Sequence, residues 1–279
     1  MRALYVAAIL LLPAFGSDVE ERSTETKSFS NAQLLLVDTI NGSIEATGYS
    51  GSELKVEVSK RIEAETPGRM EAAKREVKLD MTQSGDMVKL YVDGPFRCQC
   101  HGDCCDNGCC SGERHPGYQV YYDFKLQVPS AMRVDLYTVN NGHITVRNIA
   151  GDFDIKNVNG RIDLADMGGS GRAHTVNGPV TATFVRNPTS KSSFETINGN
   201  VDLTFRKGFQ GDARMETMNG GMYTDFEVTP LPLEQGVAEK RNGKFVYRRH
   251  GATSVRIGAG GPEFSMKTLN GDIFIREAK

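Results

Sequence analysis

Two stretches of twelve residues decide the fold: AHTVNGPVTATF at 173–184 and FETINGNVDLTF at 194–205. Each runs strand-like to a Thr-aliphatic-Asn-Gly corner and alternates again beyond it. Asn-Gly recurs at Asn41-Gly42, Asn141-Gly142, Asn159-Gly160, Asn177-Gly178, Asn198-Gly199, Asn219-Gly220 and Asn270-Gly271. The central spacings are 159 − 141 = 18, 177 − 159 = 18, 198 − 177 = 21 and 219 − 198 = 21. Three residues past the Asn stands Ile44, Ile144, Ile162, Val180, Val201, Met222 or Ile273. Five past it stands Ala46, Val146, Leu164, Ala182, Leu203, Thr224 or Ile275, and Phe184, Phe205 and Phe226 follow two residues later in three copies. A period of two means a strand with one buried face.

The residues before the corner repeat as well. An aliphatic residue precedes the Asn at Ile40, Val158, Val176, Ile197, Met218 and Leu269, and Thr39, Thr175, Thr196, Thr217 and Thr268 stand one place earlier, with Asn157 as the exception. The copy at Asn141 fits the pattern with Asn140 as an insertion partner, since Thr138-Val139-Asn140 matches the motif. Two architectures use such units. Asn-Gly is a strong two-residue hairpin signal, which gives an antiparallel β meander. In a parallel, β-helix-like β-solenoid each unit of 18–21 residues is one coil, with like residues stacked on like. A hairpin array needs no common register of Thr, aliphatic, Asn and Gly, so the all-β, parallel solenoid is the expectation and the meander its alternative.

Outward from the repeats, the chain divides into a signal peptide at 1–16, a first repeat with strands at 17–58, an insert at 59–130, central repeats at 131–228, a loop-and-strand insert at 229–261 and a final repeat at 262–279. Within 59–130, Thr66 and Pro67 open a helix expected to reach about Leu79, with Met70, Ala73, Val77 and Met81 as its apolar stripe. Strands are expected at Leu54–Val58, Met87–Val92 and Tyr118–Val128, so the insert reads as a cap over one end of the stack. In the second insert, Lys244–Arg249 and Thr253–Ile257 read as strands.

Thr175–Val180, Thr196–Val201 and the ending Gly260–Ile273 resemble the putative-adhesin β-solenoid family of bacterial envelope proteins, over roughly Phe29 to Arg276 apart from a cysteine-rich loop. The resemblance implies a β-helix-like fold and an envelope location. The family brings no catalytic residues, and its name comes from its fold, so the resemblance says little about activity.

Composition agrees with a Gly-punctuated β protein: 30 Gly, no Trp and a net charge of −2 in 279 residues. Acids and bases are mixed along the chain, which gives no basic nucleic-acid footprint. Arg2, the apolar run Ala3–Leu12, Pro13 and the small residues Ala14 and Gly16 have the order of an export signal, with cleavage expected near Gly16/Ser17. The expected location is the periplasm or cell surface. No later apolar run is long enough for a transmembrane segment.

All six cysteines fall within thirteen residues: Cys98, Cys100, Cys104, Cys105, Cys109 and Cys110, in the loop 96–116. An oxidising compartment makes disulfides the expectation. Of fifteen pairings, ten avoid a bond between adjacent cysteines, and the sequence does not choose among them. His101 and His115 flank the cluster and open a zinc or copper(I) alternative, but no pair has the two-residue gap usual for structural zinc. The reading therefore assigns no metal and no cofactor. Phosphate-loop and nucleophile-elbow motifs are missing. Asp152, Asp154, Asp163 and Asp166 could be carboxylates of a polysaccharide-cleaving β-helix or the solvated face of strands, and the latter is expected. His143 and His174 read as surface residues. The expected function is a non-enzymatic scaffold for adhesion or protein–protein contact, with an envelope protein or surface polysaccharide as partner. The alternatives are a carbohydrate-active enzyme on the same fold and a metal-binding protein acting through the cysteines.

Overall fold

The computed structural model describes residues 19–97, 116–232, 238–241, 244–247 and 252–279. The expected signal peptide, the six cysteines, His101 and His115 lie outside the described residues. Strands take 61% of the described residues and helix 4%, so the fold is all-β.

In chain order the elements are β1 (Val19–Ser30), β2 (Leu34–Asp38), β3 (Ile44–Tyr49), β4 (Glu53–Ala64), α1 (Pro67–Glu76), β5 (Lys78–Ser84), β6 (Met87–Asp93) and β7 (Tyr118–Pro129). The repeats supply β8 (Arg133–Tyr137), β9 (Ile144–Arg147), β10 (Phe153–Lys156), β11 (Ile162–Met167), β12 (Gly171–His174), β13 (Val180–Phe184), β14 (Ser192–Glu195) and β15 (Val201–Phe205). Then come β16 (Gly211–Asn219), β17 (Met222–Thr224), β18 (Val228–Pro230), β19 (Ala238–Arg241), β20 (Lys244–Tyr247), β21 (Thr253–Ile257), β22 (Glu263–Asn270) and β23 (Ile273–Glu277).

Two large mixed sheets hold almost all of these strands. One has the order β1-β4-β7-β3-β9-β11-β13-β15-β23-β17, the other β18-β21-β16-β22-β14-β12-β10-β8-β2-β6-β5, and β19 pairs with β20 alone. Neither large sheet closes on itself. In each repeat the strand before the Asn-Gly corner lies in the eleven-stranded sheet and the strand after it in the ten-stranded sheet. The corner therefore carries the chain from sheet to sheet and does not turn it back on itself. Like strands pair in parallel: Ile162 lies opposite Ile144 and Val180, and Val180 opposite Val201. The repeats are thus not a meander of hairpins. A two-residue type I′ hairpin also needs positive φ at its Asn. Among the described residues, the non-Gly positions with positive φ are Asn31, Asn141, Asn148 and Asp166, of which only Asn141 belongs to an Asn-Gly corner.

This pairing aligns the aliphatic columns read from the sequence. Ile44, Ile144, Ile162, Val180, Val201 and Ile273 are all fully buried, as are Leu35, Val37, Val134, Leu136 and Ile155 facing them from the other sheet. Phe184 and Phe205 stack at 5.0 Å and Phe205 and Phe209 at 3.9 Å, with Phe264 edge-on to both Phe205 and Phe209. Burying such a column contributes roughly 1.5–3 kcal/mol per large aliphatic or aromatic side chain.

Chain order and spatial order differ at both ends. β22 and β23, the last strands of the chain, sit between β14/β15 and β16/β17. At the other end β6 and β7 lie outside β2 and β3, in parallel register with them: Asp38 opposite Tyr91 and Ile44 opposite Phe124. The segment read as a capping insert therefore contributes, through β6 and β7, a pair of strands in the same parallel register as the repeats.

Outside that unit the pairing turns antiparallel, β1 on β4 and β4 on β7. The helix is capped by Thr66, whose hydroxyl accepts from Arg69 N at 3.3 Å, and it buries Met70 and Ala73 against β4 and β7. It ends at Glu76, short of the expected Leu79, because Leu79 and Met81 alternate in β5, opposite Val92 and Leu90 of β6. The edge strands β1 and β5 cover each other's backbone: Lys27 Nζ donates to Met81 O at 2.9 Å and Gln83 Nε2 to Ser30 O at 2.8 Å. Such contacts blunt two edges that would otherwise template further pairing.

Candidate functional site

The corners form a regular surface among the described residues. Asn159 Nδ2 donates to Asn140 Oδ1, Asn177 to Asn159, Asn198 to Asn177, Asn270 to Asn198 and Asn219 to Asn270, all at 2.7–2.8 Å. Asn140, and not the expected Asn141, occupies the rung of the second copy. Asn141 is the inserted residue, held at φ 55°. Beyond the ladder, Asn41 Nδ2 donates instead to the Val120 carbonyl of β7 at 3.4 Å.

Behind the asparagines a Thr, buried at 138, 175, 196 and 268 and half-buried at 217, donates across to the glycine carbonyl of the neighbouring unit, whereas Thr39 donates to Asn41 O at 3.4 Å. Thr138 donates to Gly42 O at 3.0 Å, Thr175 to Gly160 O at 2.8 Å, Thr196 to Gly178 O at 2.7 Å, Thr268 to Gly199 O at 2.8 Å and Thr217 to Gly271 O at 2.9 Å. The exception explains itself: Asn157 Nδ2 makes the same bond to Gly142 O at 3.1 Å. Glycine is required because the corners lie so close. A Cβ on Gly199 would fall 2.3 Å from Gly178 O, and one on Gly271 2.0 Å from Gly199 O. The aliphatic residue before each Asn points partly outward, and exposure reaches 38% at Ile197, 42% at Leu269 and 75% at Met218.

A second feature lies on the outer face of the ten-stranded sheet. The outward positions of β1, β4, β7 and β3, with the β5–β6 turn at Gln83 and Gly85, line an open groove of about 1600 Å³. Alternation along each strand sends Leu54, Val56 and Val58 into the core and turns Glu53, Lys55 and Glu57 outward. Across the strands the outward residues form rows. One runs Thr26, Glu57, Lys125, Glu45, and the next Ser28, Lys55, Gln127, Thr47. Lys125 thus stands between two carboxylates, a cross-strand arrangement that is favourable on an exposed sheet face. Tyr49 is half-buried at one end of the groove. Its hydroxyl donates to Glu53 O at 2.5 Å, and the Lys55 ammonium lies 5.4 Å from its ring centre. The period of two marked these residues as outward-facing. Nothing in the sequence showed that β1, β4, β7 and β3 lie side by side, because their pairing is long-range.

The acidic residues singled out from the sequence do not converge. Asp152 and Asp154 belong to the eleven-stranded side and Asp163 and Asp166 to the other. Asp152 Oδ1 accepts from Ser170 N at 3.0 Å, Asp154 pairs with Lys156 at 3.3 Å, and Asp163 pairs with Arg161 at 2.7 Å. Asp166 sits within β11 at φ 57°, where the pairing with β13 shifts register. Tyr137 donates to Asp154 at 3.4 Å; burial, with the Asp154 and Asp135 charges, pushes its hydroxyl up to about 12. His174 faces Glu195 at 3.7 Å on the outer surface, and His143 is half-buried at the second corner. Among the described residues no three His, Cys, Asp or Glu side chains group so as to hold a metal ion. Among them, too, no helix is long and apolar enough to cross a membrane.

No family model and no curated protein matches the chain. A solved structure described as a "putative cell adhesion protein" from Clostridium sporogenes is similar at 9% identity, over 92% of this chain and 100% of that one, with a TM-score of 0.45. Another, a "putative lipid binding protein" from Parabacteroides distasonis, is similar at 8% identity over 92% and 97% of the two chains, with a TM-score of 0.25. Likeness of that degree leaves the function to be argued from the chain's own residues.

Proposed function

We propose that this protein is a non-enzymatic, exported envelope or surface protein whose repeats form a parallel β-solenoid, a rigid scaffold that acts by binding. The observation that carries the reading is the continuous run of Asn–Asn hydrogen bonds from Asn140 to Asn219, backed by Thr–Gly bonds at the same corners. It spends the repeated polar side chains on holding the units in register and leaves long, flat outer faces. The polar groups most open to a catalytic reading, Asp152, Asp154 and Asp163, are engaged by a backbone amide, a lysine and an arginine of their own sheets.

The test is co-sedimentation of the mature chain with isolated cell envelopes, with reducing ends measured in the same tubes. The expected result is saturable binding with no release of sugar. Release of reducing ends in proportion to the protein added would overturn the non-enzymatic reading, and failure to sediment with any envelope fraction would overturn the scaffold.

A further inference from the structure

We propose that the groove over β1, β4, β7 and β3 binds a neutral, hydroxyl-rich polymer, a polysaccharide strand. The inference rests on the binding-scaffold reading and gives it a site. Three features of the groove carry it.

The first is charge. Its ionic lining consists of Glu45, Glu53 and Glu57 against Lys27, Lys55 and Lys125. The signs cancel and alternate across the strands, with Lys125 opposite both Glu57 and Glu45. Such a surface selects neither a polyanion nor a polycation, whose binding needs a field of one sign.

The second is hydrogen-bonding capacity. Ammonium groups donate, carboxylates accept, and the Thr47 and Ser28 hydroxyls and the Gln127 amide do both. A sugar hydroxyl, itself both donor and acceptor, can be satisfied at any of these positions, whereas an apolar ligand would strand them.

The third is shape. Four strands make a floor about 14 Å wide at ordinary strand spacing. The volume of about 1600 Å³ exceeds the roughly 300–1,000 Å³ of a small-molecule pocket, and the site is open. Tyr49 supplies a ring fixed at both ends, by the backbone and by its hydroxyl bond to Glu53 O. Amphipathic rings of this kind give a ligand apolar area with a polar tip.

The experiment is affinity electrophoresis of the full mature chain in gels containing dextran, laminarin or hydroxyethyl cellulose, with dextran sulfate and polygalacturonate as charged comparators. At least one neutral polymer should retard the protein, and high salt should leave the retardation unchanged. Tyr49→Ala and Gln127→Ala should each weaken binding about tenfold, while Lys156→Ala on the other sheet should not. Circular dichroism checks that each variant is folded, and Gln127→Ala tests the site with an exposed side chain whose removal leaves the core alone. The inference fails if only charged polymers retard the chain, if no neutral polymer does, or if both groove variants bind like the parent. Envelope co-sedimentation that survives any of these outcomes would leave the scaffold reading standing and remove only the groove.

Discussion

Asn270 donates its side-chain amide to Asn198 Oδ1 at 2.7 Å, across 72 residues of sequence, while Asn219, only 21 residues beyond Asn198, bonds to the far side of Asn270. The end of the chain is thus threaded between two earlier units. Its β22 pairs with both β14 and β16, and its β23 with both β15 and β17.

Truncation at residue 261 is therefore expected to abolish cooperative folding and not merely to trim one end. It removes Phe264, Met266, Ile273 and Ile275, all buried at 0–1% exposure. At roughly 1.5–3 kcal/mol each, their loss rivals the whole stability of a typical domain, about 5–15 kcal/mol. A thermal melt followed by circular dichroism checks it. A truncated chain that still melts in one sharp transition would contradict the threading.

The amide ladder predicts an asymmetric response at Asn177, which donates to Asn159 and accepts from Asn198, both at 2.8 Å. Asn177→Ala should cost about 1–2 kcal/mol in urea denaturation, the net worth of two hydrogen bonds. Asn177→Asp keeps the acceptor but sets a carboxylate against Asn159 Oδ1. Its penalty should shrink when the pH falls below the carboxylate range, where the protonated acid can donate again. A penalty independent of pH would argue against the ladder.

The buried hydroxyl ladder predicts that Thr175→Val, nearly isosteric, costs about 1–2 kcal/mol, since Thr175 is fully buried and its hydroxyl serves Gly160 O. Gly199→Ala should cost more than this, because its methyl would overlap Gly178 O. Equilibrium denaturation of both variants checks the order, and the reverse ranking would count against the close approach of the corners.

A pH effect is expected where the helix meets β7. Tyr118 donates to Glu76 Oε2 at 2.7 Å. That bond holds the Glu76 carboxyl below its ordinary range; burial, then the bond and the carboxylate charge, raise the tyrosine. A depressed carboxyl contributes stability that is present above the ordinary carboxylate pKa and is lost as pH falls through the lowered one. The raised phenol contributes stability present below the ordinary tyrosine pKa and lost as pH rises past it. Tyr118→Phe should therefore lower the melting midpoint at neutral pH, with the deficit closing on the acid side. A deficit that grew on acidification would refute the assignment.

Much of the fold was legible because the repeat is local. Thr196, Ile197, Asn198 and Gly199 announce their corner within four residues, and Val201, Leu203 and Phe205 announce a one-sided strand. The candidate site was far less legible. Glu57, Lys125 and Glu45 can be read as outward-facing, but they become neighbours only through pairings that span 125 − 57 = 68 and 125 − 45 = 80 residues.

The sequence by itself determined the unit: its period, its corner, its buried column, and through Asn157 even the substitution the corner tolerates. Only the tertiary structure decided the order in which units stack. Each unit offers neighbours nearly the same edge, with Thr, Asn and Gly in the same register, so local chemistry scarcely distinguishes Asn219 from Asn270 as the partner of Asn198. That choice belongs to long-range packing, where Phe264 meets Phe205 and Phe209 in the core and β6 and β7 take their places beside β2 and β3 at the far end.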